Sequence, residues 1–213
     1  MIEIKRRDTG ETLHRVEAKS LVGQSLIGLS LQHANFSGMN LKGIDFTRTN
    51  LMHADFSNCQ LQGSLFASSV VSDANFESAN CTGADFTDAI GKKARFEKTK
   101  AAGAIFRYAK LGESNFAGAD LTGADLSLAD LKGNFFEANL SKSDLRGSDL
   151  TGANLTNANL TDANMATAKT DGMRMNHTRL DNVIDASGHK LGTPQGFKSK
   201  KAAIRPWWQF WAG

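Results

Sequence analysis

The chain has 213 residues, a formal charge of +3, two cysteines and two prolines, which suits one domain plus its ends. Two cysteines exclude a disulfide framework and a cysteine-rich metal site, and both read as reduced core thiols. No apolar run approaches the roughly 18 residues of a membrane-spanning helix, and the charged opening MIEIKRRD lacks the pattern of a secretory leader, so the expected compartment is the cytoplasm.

The first predicted element is a β-hairpin. IEIKRR and ETLHRVE alternate apolar and polar residues on either side of an Asp8-Thr9-Gly10 turn. It is expected to cap whatever follows, over residues 1–19, because bare strand edges invite aggregation.

From Leu26 a large apolar residue returns every fifth position: Leu26, Leu31, Phe36, Leu41, Phe46 and onward to Leu131, then from Leu140 to Leu180. On a helix, five residues overshoot a turn by about 140°, so the stripe would bury no single face. On a flat strand, an odd period sends successive leucines to opposite sides. The pattern is coherent only if the chain turns a corner in every unit and points each central residue to a common axis, which makes a solenoid. Two residues before each centre lies a small side chain such as Ala34, Ala54, Ala74 or Ala153, followed by Asn or Asp, as in Asn35, Asp55, Asn75 and Asn154. Asn and Asp bond readily to nearby backbone and suit tight corners.

This A-[DN]-[LF]-x-x pattern, clearest in TGANLTNANLTDANM, resembles the pentapeptide-repeat family over about three quarters of the chain. The resemblance implies an all-β fold, a right-handed quadrilateral β-helix with four repeats to a coil. It brings no catalytic residues. Some members of that family are dimeric rods that mimic DNA and protect type II topoisomerases, and many others have no assigned role. Residues 20–182 would then form about eight coils, a rod about 40 Å long at about 4.8 Å per coil. Phenylalanine recurs every tenth residue from Phe36 to Phe116, so Phe36, Phe56, Phe76, Phe96 and Phe116 should stack on one side and Phe46, Phe66, Phe86 and Phe106 on the opposite one.

The count slips between Leu131 and Leu140, which are nine residues apart where two units need ten. Phe135 and Phe136 compete for the inward place. A deletion absorbed at one corner is the simpler reading, and a bend aimed at a partner is the functional one.

Charge along the repeats changes sign. Residues 26–90 carry Lys42 and Arg48 against Asp45, Asp55, Asp73, Glu77, Asp85 and Asp88, a net of −4. Residues 91–113 carry Lys92, Lys93, Arg95, Lys98, Lys100, Arg107 and Lys110 against Glu97 and Glu113, a net of +5. Residues 114–165 return to −4, with seven acids against Lys132, Lys142 and Arg146. A DNA mimic wants unbroken negative potential, and a phosphate-tracking groove wants cations repeated down one face. A one-coil basic belt fits neither. Charges alternating between coils, as in Asp73, Lys93 and Glu113, read as structural pairs.

His33, His53 and Asp73 fall twenty residues apart and should share one outer row. They do not complete a four-ligand set, so no metal site is expected. Neither a Ser–His–Asp nor a Cys–His pairing stands out, and the glycines mark corners instead of cradling phosphate. No enzyme and no cofactor is expected.

Leu65, Val70, Ile90 and Ile105 occupy the outward slot that elsewhere holds Asn or Asp. They either pack beneath a neighbour such as Tyr108 or form a contact patch for a partner. After about Val183 the repeat is lost, and residues 183–213 read as a basic and aromatic tail. KSKKAAIRPWWQFW places Arg205 ahead of Trp207, Trp208, Phe210 and Trp211. These rings would cap the last coil at Met175 and Leu180, stand on an anionic membrane surface, or anchor a partner protein. The connecting glycines Gly188, Gly192 and Gly196 favour a mobile recognition segment over a cap.

The residues thus point to a non-enzymatic protein-interaction scaffold, a monomer or weak homodimer with an unknown protein partner. The alternatives are a DNA-mimicking protein that protects or inhibits gyrase, and a peripheral membrane-surface adaptor working through the tail.

Overall fold

The computed structural model describes residues 1–191. Two strands, β1 (Ile2–Lys5) and β2 (Thr12–Val16), pair antiparallel with Ile4 opposite His14 and a register shift between Ile4 and Lys5. From Leu21 to Ala186 the chain is a repeating turn-and-bridge unit, five residues long except at one corner. Among the described residues there is no helix.

The unit follows from where its five N–H groups go. In the unit centred on Phe36, the inward residue donates to Asp55 O (2.8 Å) and Gly38 donates to Ser57 O (2.8 Å), both on the next coil. Met39 closes the turn onto Phe36 O at 2.9 Å. Asn35 donates to Lys5 O, where its successor Asp55 uses Ala34 O of the preceding coil. The fifth donor, on Ser37, has no backbone acceptor and instead meets the Asn35 side-chain Oδ1 at 3.1 Å. The same side-chain bond recurs from Asp45, Asp55, Asn75, Asp85 and Asp120. This is why Asn or Asp precedes the inward residue: it completes the backbone bonding of the corner.

Corners close with φ near +60° at the third residue of the turn, at Gly38 and Gly43 but also at His33, Asn58 and Lys93. Only this residue has positive φ, the pattern of a type II turn. Parallel bridges join residues twenty apart in four columns, for example Asp45–Leu65–Asp85–Ile105 and Asn50–Val70–Ile90–Lys110. The chain therefore coils on four sides. The hairpin joins the first coil through Arg6 opposite Ala34, with Arg7 N donating to His33 O, and buries Ile4 in the core.

Inside, Phe36, Phe56, Phe76, Phe96, Phe116 and Phe135 form one stack, with neighbouring centroids 4.6–5.0 Å apart. Phe46, Phe66, Phe86 and Phe106 form a second stack that meets the first edge to face, as between Phe76 and Phe86 at 5.6 Å. Gly91 sits where a Cβ would lie 2.7 Å from Leu111 Cδ2 and 3.0 Å from Val71 Cγ2. The room it leaves is taken by its own column, not by the phenylalanines. Where the small slot holds Thr, Ser or Cys, the hydroxyl or thiol can bond a carbonyl, as Thr49 does to Leu26 O and Cys59 to Phe36 O.

The slip resolves at one corner. Leu131, Lys132, Gly133 and Asn134 make a four-residue unit that lacks the positive-φ residue, and Gly133 N bonds Leu131 O directly at 2.7 Å. Phe135 takes the inward place and stacks on Phe116, while Phe136 is only partly buried. Bridges then join residues nineteen apart from Asn115–Asn134 to Asp130–Asp149, and return to twenty at Asn134–Asn154. All four columns run through without a break.

Phe76 touches two rings by stacking and two by edge contact. Phe76→Ala is expected to cost about 3–5 kcal/mol, read by chemical denaturation. Gly133 is needed for a different reason, since an added Cβ would collide with the Ser114 carbonyl. Gly133→Ala should destabilise by about 1–3 kcal/mol, while Phe136→Ala should cost clearly less than Phe135→Ala.

Candidate partner-contact surface

Side chains leave the coil in rows, and one corner differs from the others. Backbone bonds running from Arg48 to Ala67 O, Ser68 to Thr87 O, Asp88 to Arg107 O, Tyr108 to Ser127 O and Leu128 to Arg146 O define its row. Tyr108 and Leu128 occupy the positive-φ position there, 48% and 51% exposed. Many residues of the fold share this conformation, but most are Gly, Asn, Asp, Ser or charged. An exposed tyrosine and leucine held left-handed cost conformational energy that burial does not return.

The four apolar outward residues flank this corner. Val70 and Ile90 are bridge partners on one adjoining side, while Leu65 and Ile105 are separated by Asp85 on the other. Leu65, Ile90 and Ile105 are exposed and Val70 is partly so. Ile27 stands exposed at the N-terminal end of the same corner. In each case, replacing Asn or Asp forfeits the side-chain acceptor for the N–H two residues on: Ala67, Ser72, Lys92 and Arg107. The sequence reading found the flanking residues but not Leu128. Its signal is the triplet Ser127-Leu128-Ala129, which puts leucine on a corner instead of a centre.

Arg107, Tyr108, Ser127, Leu128, Arg146, Gly147 and Thr167 line a shallow depression of about 300 Å³. It exists because Gly147 interrupts the row, and a Cβ there would lie 2.8 Å from Leu128 Cδ2. Both arginines are committed. Arg107 pairs with Asp125 at 2.7 Å and Arg146 with Asp144 at 2.6 Å. Hydrogen bonding from Arg146 chiefly holds the Asp144 carboxyl below the usual range. At Asp125 partial burial acts to raise the pKa, but bonds from Ser127 and Arg107 outweigh it and lower the net value. With its cations neutralised, the depression suits an apolar side chain better than a free anion.

The basic belt is largely paired across coils. Lys92 and Lys93 reach Glu113 at 2.9 and 3.8 Å, and Arg95 reaches Glu77 at 2.7 Å and Glu97 at 3.3 Å. Such exposed pairs contribute about 0–1 kcal/mol each. His33 and His53 stack with centroids 4.7 Å apart, and His33 Nδ1 lies 3.8 Å from Asp8 Oδ2. Asp8 is already bonded to Arg6, which is the main reason its pKa falls to about 2. Among the described residues no group of three or more His, Cys, Asp or Glu side chains is placed to hold a metal ion. Burial pushes the Cys59 thiol up to about 12 and raises Cys81 as well, so both stay protonated at neutral pH. Arg205, Trp207, Trp208, Phe210 and Trp211 lie outside the described residues.

The family model for pentapeptide repeats matches eight copies over residues 30–66, 72–107, 103–133 and 134–169. The chain belongs to the pentapeptide-repeat family. The break between the last two matched segments falls at the four-residue unit. No curated protein matches this pentapeptide-repeat chain. Similar solved structures include HetL from the cyanobacterium Nostoc, a pentapeptide repeat protein involved in heterocyst differentiation regulation. It is 23% identical, with 82% of this chain and 93% of that one covered and a TM-score of 0.33. Full-length QnrB1, a plasmid-mediated fluoroquinolone resistance protein, is 20% identical over 74% of this chain and 92% of its own, with a TM-score of 0.36. The Nostoc pentapeptide repeat protein alr5209 is 30% identical over 43% of this chain and 84% of its own, with a TM-score of 0.38.

Because Asp144 titrates lower folded than unfolded, the stability it contributes is present above the unfolded value of about 4 and is lost as pH falls through the folded one. Thermal melts from neutral to acid pH should show Asp144→Asn less stable than wild type by a constant margin above about pH 4, with that margin shrinking below it.

Proposed function

We propose that this pentapeptide-repeat rod is a non-enzymatic protein-interaction scaffold that engages its partner through the apolar corner around Tyr108 and Leu128. The reading takes the coil as right-handed, of about eight turns, capped at its start by the hairpin. It takes the protein as a cytoplasmic monomer or weak homodimer.

One observation carries the reading. The chain gives up a stabilising Asn or Asp bond at Leu65, Val70, Ile90 and Ile105, and a relaxed corner residue at Tyr108 and Leu128, to expose apolar side chains along one edge. Folding alone gains little from that choice, whereas an exposed apolar patch with a polar rim is what a protein contact uses. The belt's remaining cations do not repeat down one row, since Lys100 lies between Asn80 and Asp120 and Lys110 between Ile90 and Asp130, which speaks against a phosphate-tracking face for nucleic acid.

The test exploits this trade of stability for contact. Ile90→Asn and Ile105→Asp restore the acceptors for Lys92 N and Arg107 N, and are expected to leave the melting temperature unchanged or raise it by about 1–2 °C. Combined with Leu128→Asp, they should abolish affinity capture of whatever the wild-type protein retains. Unchanged capture, or a loss of several degrees, would assign these side chains a structural role. A clear effect of the wild-type protein on gyrase supercoiling at micromolar concentration would favour the DNA-mimic reading instead.

A further inference from the structure

The apolar corner carries a projection and a hollow in an order that complements itself. Successive coils place Asp88, Tyr108, Leu128, Gly147 and Thr167 in one row, about 4.8 Å apart. Leu128 is the midpoint and stands half exposed. One coil before it Tyr108 projects, also half exposed, and one coil after it Gly147 opens the depression. Thr167 lies on the far rim of that depression, where its hydroxyl oxygen can accept a bond from a tyrosine O–H.

A two-fold axis perpendicular to the rod, at the level of Leu128, reverses the order of this row. Two copies laid antiparallel, corner to corner, then bring each Tyr108 onto the Gly147 of the other and set the two leucines against each other. The pitch matches throughout, because both rows belong to the same fold. A foreign partner has to reproduce that spacing, whereas a second copy carries it by construction.

Charge agrees with the same arrangement. On the adjoining side the bridged column runs Ile90, Lys110, Asp130, Asp149 and Lys169. Antiparallel pairing faces Lys110 of each chain with Asp149 of the other. Asp130 meets its own counterpart, but Lys132 already stands 3.7 Å from it. Arg107 and Arg146 come level with each other, each keeping its own aspartate. Parallel pairing instead sets Tyr108 on Tyr108 and Lys110 on Lys110, and leaves both depressions empty.

We propose that this corner is the interface of an antiparallel two-fold homodimer in which Tyr108 of each chain enters the depression beside Gly147 of the other. The interface rests on the reading of the corner as a protein-contact surface and names its occupant. Edge-on contact between two rods buries less than the roughly 1,200 Å² of a standard interface, so the dimer is a reversible one.

Sedimentation of the full-length protein from micromolar to millimolar concentration should show a monomer–dimer equilibrium. Leu128→Asp should weaken it at least about tenfold. Gly147→Asn, which fills the depression with a residue that tolerates positive φ, should do the same. Cys59 and Cys81 are buried, so an added surface cysteine is the reactive one. Asp88 and Thr167 lie two coils on either side of the axis, each about 19 Å from its own counterpart but beside the other residue of the second copy. A short thiol cross-linker should therefore join a mixture of the Asp88→Cys and Thr167→Cys proteins, and neither protein alone. Self-cross-linking of either variant would assign a parallel pairing and overturn the proposal. A dimer indifferent to both Leu128→Asp and Gly147→Asn would overturn it as well. So would a monomer at every concentration: if the corner variants still lose capture of another protein, the corner remains a contact surface with a different occupant, and if they do not, both readings fall. The mixed cross-link leaves Tyr108, Leu128 and Gly147 intact and decides the matter even where Gly147→Asn fails to fold.

Discussion

The structure depends on one hydrogen bond repeated at most corners: the side-chain oxygen of Asn or Asp accepting the N–H two residues on. Four of the five donors in each unit find backbone acceptors, on the same turn or on the coils above and below. The fifth faces outward at the corner and would otherwise rely on water. A single side-chain oxygen in the right slot completes the set. Wherever that oxygen is present, a backbone without helix or long strands is fully bonded, and the five-residue unit can be stacked repeatedly.

With the backbone satisfied locally, the interior becomes two interleaved ring stacks. Interlocking of this kind tolerates little change in register. The deletion near Gly133 is accommodated because it removes a corner residue and not an inward one, and because glycine lets the shortened turn pass close to the Ser114 carbonyl. The Phe116–Phe135 contact is as close as the others in its stack.

Outward rows are under much weaker constraint, and function has to be sought there. Some polar departures from Asn or Asp make cross-coil ion pairs, as Arg95 does with Glu77. The apolar departures do not. They converge on one corner, where Gly147 opens a depression beside Leu128 and the charges of two arginines are compensated by their own aspartates. An edge of this kind presents apolar surface without presenting free charge.

The five-residue period, the small residue, the Asn or Asp and the alternating phenylalanines were enough to derive the stacked coil, its inward residues and the hairpin, because each is a local rule repeated many times. Even the slip was visible as a missing residue. Which of Phe135 and Phe136 points inward was decided only when the ring had to fall on Phe116 and the backbone had to bond coils on both sides. The apolar corner was half legible. Leu65, Val70, Ile90 and Ile105 stand out in the linear pattern, but their convergence around Tyr108 and Leu128 depends on residues twenty apart becoming neighbours. The antiparallel return at the far end was not legible either, because Lys190 comes back beside Ile184 only once the turn at Asp185 has formed. Periodicity records what each unit wants from the next, and only the folded coil shows which residues twenty apart become neighbours across an outer corner.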